Sequence, residues 1–223
     1  VTEAFMAMKK FDIGRLVEAY EQDDMNTDRS KLLENAAAVA ARIKPLRDPH
    51  INPLTAFVDE LRREAGPGAE IPYFDPWDGG VEATTLFLLE APGRKAVQTG
   101  FVSRNNPDET AKNFYELSLE AGIDRRKTIV WNVVPWYIGN GKKRRAPTSK
   151  DLAEGLKPLP RLLALLPKLR TVVLVGRKAE KAAMQIDKSR YTLFTCPHPS
   201  PMFVNNAPGN REKILRVLRE LVV

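Results

Sequence analysis

Two kinds of apolar pattern alternate along the second half of the chain. Short, nearly unbroken runs at 84–90 (TTLFLLE), 128–134 (TIVWNVV), 170–176 (RTVVLVG) and 191–196 (YTLFTC) are separated by longer segments with helical composition. The short runs predict buried strands, and the longer segments predict helices over 108–122, 149–167, 177–187 and roughly 208–222. Pro158 and Pro160 predict a break inside the second of these helices. Before residue 67 the pattern is helical, over 5–21, over 31–44, and from Asn52-Pro53, read as a capped start, to a stop at Gly66. Residues 67–80 are rich in Pro, Gly and Asp with Trp77 and other aromatics interleaved, which predicts a structured loop.

Four strands, each followed by a crossover, imply a parallel sheet with helices on both faces. The expected fold is therefore α/β, a three-layer α/β/α arrangement around a central four-stranded parallel sheet. A length of 223 residues suits one domain spanning 1–223, with a helical N-terminal extension over 1–66. No stretch of about 18 uninterrupted apolar residues occurs, so no membrane span is expected. The first twenty residues mix charges into their apolar pattern and lack the hydrophobic block of a secretory signal. A single cysteine, Cys196, fits a reducing, cytoplasmic setting and cannot by itself supply the thiolates of a zinc or iron–sulfur site. No metal and no cofactor are expected.

Charge adds a direction. The chain carries 35 Lys and Arg against 28 Asp and Glu, a formal net charge of +7. Residues 140–223 alone hold eighteen basic and six acidic side chains, while the first 139 residues are mildly acidic. A field that uneven points to a polyanion as partner, against the alternative of a merely solvated basic surface.

In open parallel sheets, ligands bind beyond the carboxyl ends of the strands. Glu90-Ala91-Pro92-Gly93 follows the first strand, placing a carboxylate beside a rigid turn with a side-chain-free gap. Asn132 stands in the otherwise apolar second strand, where its amide must be satisfied by neighbouring backbone or by a ligand. The fourth strand runs into Cys196-Pro197-His198-Pro199-Ser200-Pro201, whose three prolines stiffen the chain around His198 and Ser200. Two polar loops complete the set: 100–107, with Phe101 among small and polar residues, and 140–145, where Lys142, Lys143, Arg144 and Arg145 follow one another.

EAPG, NVV and HPSP, in this order and roughly this spacing, resemble the motifs of the uracil-DNA glycosylase superfamily, most closely the branch whose first motif reads Gly-Glu-Ala-Pro-Gly. The resemblance covers about 84–222 and implies a repair enzyme that flips uracil out of DNA and hydrolyses its N-glycosidic bond, leaving an abasic site. It implies Phe101 as the stacking face for the base, Asn132 as the amide that reads it, Ala91 and Gly93 as pocket backbone, and His198 as donor to the leaving uracil. Ser200 would brace the loop or contact a phosphate, and Asn205 and Arg211, with the 142–145 cations, would meet the DNA backbone. The implied partner is uracil-containing DNA, single- or double-stranded, with free uracil as product and the protein acting as a monomer.

Departures from the family pattern matter as much. Where other members position the attacking water with an Asp, this chain has Ala91, so the role is expected of Glu90, the nearest carboxylate. The Tyr that excludes the thymine methyl elsewhere in the family is Gly93 here. The cysteines that bind an iron–sulfur cluster in the EAPG branch are missing, Pro135 and Trp136 occupying one such stretch. Lys143-Arg144-Arg145 resembles the start of a loop that traps uracil-DNA covalently in a further branch, but Ala146 and Pro147 stand where its Ile and His would be. A protein that binds uracil or abasic sites with little or no turnover is the alternative expectation.

Overall fold

The computed structural model describes residues 27–139 and 145–222. The predicted helix over 5–21 lies outside them. Its elements begin with α1 (Ala36–Ile43) and α2 (Asn52–Ala65), followed by β1 (Tyr73–Phe74), β2 (Thr85–Leu89), α3 (Arg94–Thr99), β3 (Phe101–Val102) and α4 (Glu109–Glu120). After these come β4 (Thr128–Asn132), α5 (Ser149–Leu156), α6 (Leu159–Ala164), β5 (Thr171–Val175), β6 (Thr192–Cys196), α7 (Pro201–Val204) and α8 (Asn210–Glu220).

The four long strands form one parallel sheet in the order β4-β2-β5-β6, as the alternating pattern requires. Helices flank it. Side chains alternate across a strand, so Phe87 and Val130 face one side while Leu88 and Trp131 face the other. Phe87 meets α4 through Phe114, edge-on at 5.0 Å. Trp131 meets α2 through Phe57 at 6.3 Å and stacks on Phe74 at 3.9 Å. Leu54, Phe57, Val58 and Leu61 of α2 lie in the same core as the sheet. The helix α2 thus packs as part of the core around the sheet.

Local chemistry accounts for the boundaries. Asp108 caps α4, its carboxylate accepting from the amides of Thr110 and Ala111 at 3.0 Å. Gly122, at φ +77°, ends the same helix in a left-handed conformation. Thr148 and Asp151 form a reciprocal capping box at the start of α5. The proline break is where the sequence places it, between α5 and α6.

Other elements differ from expectation. Residues 179–185 wind as a 3-10 helix rather than an α-helix. Ile51, not Asn52, occupies the cap position of α2, and Pro53 sits in the first turn. The helices α3 and α7 and the two-residue parallel pairing of β1 with β3 are too short to give a periodic signal. The 100–107 loop is not a polar surface: Ser103, Arg104, Asn105 and Asn106 are all buried.

Their burial rests on a network of charges. Arg42, 1% exposed, pairs with Asp75, which also takes Arg125 at 3.0 Å and the Ser103 hydroxyl. Arg125 reaches Asp78 and Asp28 as well, and Arg104 donates to Thr128 Oγ1 at 2.7 Å. Burial pushes the Asp75 carboxyl up, but Arg42 and Arg125 outweigh it and hold it at about 2. These contacts tie the helices before residue 67 to the loop behind β3.

Candidate active site

The carboxyl ends of β2 and β4, neighbours in the sheet, open into a cavity of about 120 Å³. Ala91, Gly93, Asn132 and His198 all line it, so residues from three separate strand ends converge as the motif order implies. Drug-sized ligands occupy ~300–1,000 Å³. This space suits a single heterocyclic ring.

Strand alternation decides which side chains enter. Leu89 and Asn132 are register partners and both face α4, so they line the cavity together with Ala91 and Val130. Asn132 is 4% exposed, and its side-chain amide makes no hydrogen bond with any other described residue. A buried amide that braced the core would be paired internally. This one is left for whatever fills the cavity.

His198 is half-buried at the cavity wall. The neighbouring Pro199 carbonyl accepts from Asn113 Nδ2 of α4 at 3.0 Å, which locks the histidine loop to the helix across the cavity. Ser200 caps α7 by accepting from the Phe203 amide, so its hydroxyl braces the loop. Cys196 lies buried at the end of β6, where burial pushes its thiol up to about 12. The second histidine, His50, donates from Nε2 to the Pro76 carbonyl at 2.8 Å, far along the chain from these motifs, and is a structural residue.

Two expected residues are not brought to the cavity. Glu90, just past the end of β2, is not among the lining residues, although Leu89 and Ala91 on either side of it are. Phe101 is 1% exposed and packs with Leu33 and Leu46, while its neighbour Val102 faces the cavity instead. The aromatic that lines the cavity is Phe114. Its place on the apolar face of α4 with Ala111 and Leu117 reads in sequence as ordinary core spacing.

Asp108 and Arg104 also line the cavity and had no sequence signal. Burial raises the Asp108 pKa, and the Ala111 and Thr110 amides oppose that rise. Burial lowers the pKa of Arg104, and Asp78 opposes it. Among the described residues no three His, Cys, Asp or Glu side chains come together to hold a metal ion.

Of the expected DNA contacts, Lys142, Lys143 and Arg144 lie outside the described residues. Arg145 forms a two-pronged pair with Asp151, at 2.6 and 3.0 Å. Arg211 pairs with Glu120 of α4. Asn205 is exposed just past α7, and Met202 within that helix is 85% exposed, an apolar side chain four residues from His198. No described helix is long and apolar enough to cross a membrane.

No curated protein matches the chain. Among solved structures, the crystal structure of SMUG2 from Pedobacter heparinus is similar with a TM-score of 0.51 and 15% identity, over 78% of this chain and 85% of that one. The solution structure of a uracil DNA glycosylase, described there as "putative", from Methanosarcina acetivorans gives 0.47 and 17%, over 64% and 93%. A mimivirus UNG variant in complex with UGI gives 0.38 and 13%, over 82% and 77%. The family model that matches is described as "Uracil DNA glycosylase superfamily" and covers residues 76–222, the stretch that carries all three strand-end motifs. By that match this chain belongs to the uracil DNA glycosylase superfamily.

Proposed function

We propose that this protein is a monofunctional DNA glycosylase that flips uracil out of DNA and hydrolyses its N-glycosidic bond, leaving an abasic site for base excision repair. The observation that carries the reading is the Asn132 amide, buried, unpaired among the described residues and turned into a ring-sized cavity shared with His198. An amide accepts from uracil N3–H and donates to O4. Cytosine presents the opposite pattern at those two atoms and would leave buried polar groups unpaired.

Flipping costs a few kcal/mol, which a basic surface offsets by gripping phosphates. The excess of eighteen basic over six acidic residues in 140–223 supplies such a surface. Met202, exposed beside the histidine loop, is suited to enter the gap left in the base stack. When the glycosidic bond breaks, negative charge develops on the departing uracil, and His198 donates to it.

Incubation with excess protein of an end-labelled oligonucleotide bearing one uracil, followed by alkali, tests the reading. A break at the uracil position is expected within one turnover. Tight binding of the same DNA with no break would identify a damage-binding protein instead.

A further inference from the structure

Hydrolysis needs a group to orient water and take its proton, and of the residues that follow β2 the cavity lining includes Ala91, Pro92 and Gly93 but not Glu90. Resting on the glycosylase reading above, we propose that Asp108 is the catalytic carboxylate, positioning and deprotonating the attacking water from the N-terminus of α4.

Three features of its surroundings argue for this. Asp108 lines the same cavity as Asn132 and His198. Its position is fixed at both ends of the first turns of α4: its own Oδ1 holds the Thr110 and Ala111 amides at 3.0 Å, and Asn113 of the same helix holds the Pro199 carbonyl beside His198 at 3.0 Å. A carboxylate set by a helix that also sets the histidine loop keeps its spacing to His198 through the reaction. Finally, the two amides and the helix terminus favour its ionised form, while partial burial strengthens it as a base. Lys31 and Glu109 are its charged neighbours outside the cavity lining, and Arg104 and His198 line the cavity with it.

The step balances as a hydrolysis. Water oxygen bonds to the sugar C1′ as the C1′–N1 bond breaks, and that bond's electron pair leaves with uracil, whose charge His198 meets by hydrogen bonding. The proton from water passes to Asp108 and then to solvent, and the uracil anion takes up a proton from solvent.

The test compares wild type with Asp108→Asn, Asp108→Ser and Glu90→Gln. Asn and Ser both cap helices about as well as Asp, so the fold is retained and only the carboxylate is lost. Single-turnover uracil release should fall by about 10²-fold or more in both Asp108 variants. Binding to DNA carrying a non-hydrolysable uracil nucleotide and the melting temperature should stay near wild type, and Glu90→Gln should stay within about threefold in rate. Near-wild-type rates in Asp108→Asn, or a large loss confined to Glu90→Gln, would overturn the assignment. Wild-type protein that releases no uracil would overturn the glycosylase reading itself, and the assignment with it.

Discussion

Gly176, directly after β5, is the seat of His198: a β-carbon built on Gly176 would come within 3.1 Å of His198 Cβ and 3.5 Å of its ring Cδ2. Gly176 also has φ +86°, so an alanine there meets both backbone strain and the histidine. Gly122 has φ +77° with nothing near its missing side chain, which makes it a control for the strain alone. Gly176→Ala and Gly122→Ala should each lose about 1–2 kcal/mol of stability. Only Gly176→Ala should also slow uracil release, by about ten- to a hundredfold, because the histidine is displaced from its working position. Thermal melts and single-turnover rates on the same samples separate the two effects. Equal rates would detach His198 from the chemistry.

Among the described residues the Asn132 amide has no hydrogen-bond partner to lose. Asn132→Ala should therefore leave stability unchanged or slightly improved, where an amide bracing the core would cost about 1–3 kcal/mol on removal. Excision should drop by about 10²-fold or more, with nonspecific DNA affinity unchanged. A stability loss accompanied by normal excision would make Asn132 a structural residue.

Met202 should matter only when a base stack must be opened. Met202→Ala is expected to slow release from double-stranded substrate by about tenfold and to leave single-stranded substrate within about twofold, since unstacking costs a few kcal/mol only in the duplex. Equal effects on both substrates would place Met202 outside the flipping step.

The buried Arg42–Asp75–Arg125 network sets an acid limit on the fold. Asp75 is held at about 2, below its ordinary value near 4, so its contribution is fully present above about pH 4 and is lost as pH falls toward 2. Asp75→Asn leaves Arg42 buried without its counter-charge and should cost about 3–5 kcal/mol at pH 7. The difference between wild type and variant should shrink by about 2 kcal/mol between pH 4 and pH 2. Burial raises the Asp78 pKa and works in the opposite sense, and the Asp75 charge adds to that rise, so Asp75→Asn also eases Asp78. Urea unfolding across that pH range is the measurement, and a pH-independent difference would mean Asp75 is not the titrating group.

What the chain determines locally was legible without coordinates. The four strands, the helix from Asp108 to Gly122 and the proline break after α5 depend on periodicity and on residues within one turn. The convergence of Ala91, Asn132 and His198 follows from strand ends in a parallel sheet. Only the tertiary structure decided which side chains face the cavity and which charges are already paired. Glu90 stays out of the cavity lining, β3 sends Phe101 to the N-terminal segment and admits Val102, and Phe114 of α4 and its cap Asp108 join the lining. Arg145 and Arg211 look free in sequence, yet each meets a carboxylate in the fold, Asp151 for one and Glu120 for the other. Motif order is a property of the chain, whereas facing and pairing depend on the element packed opposite, which no local pattern records.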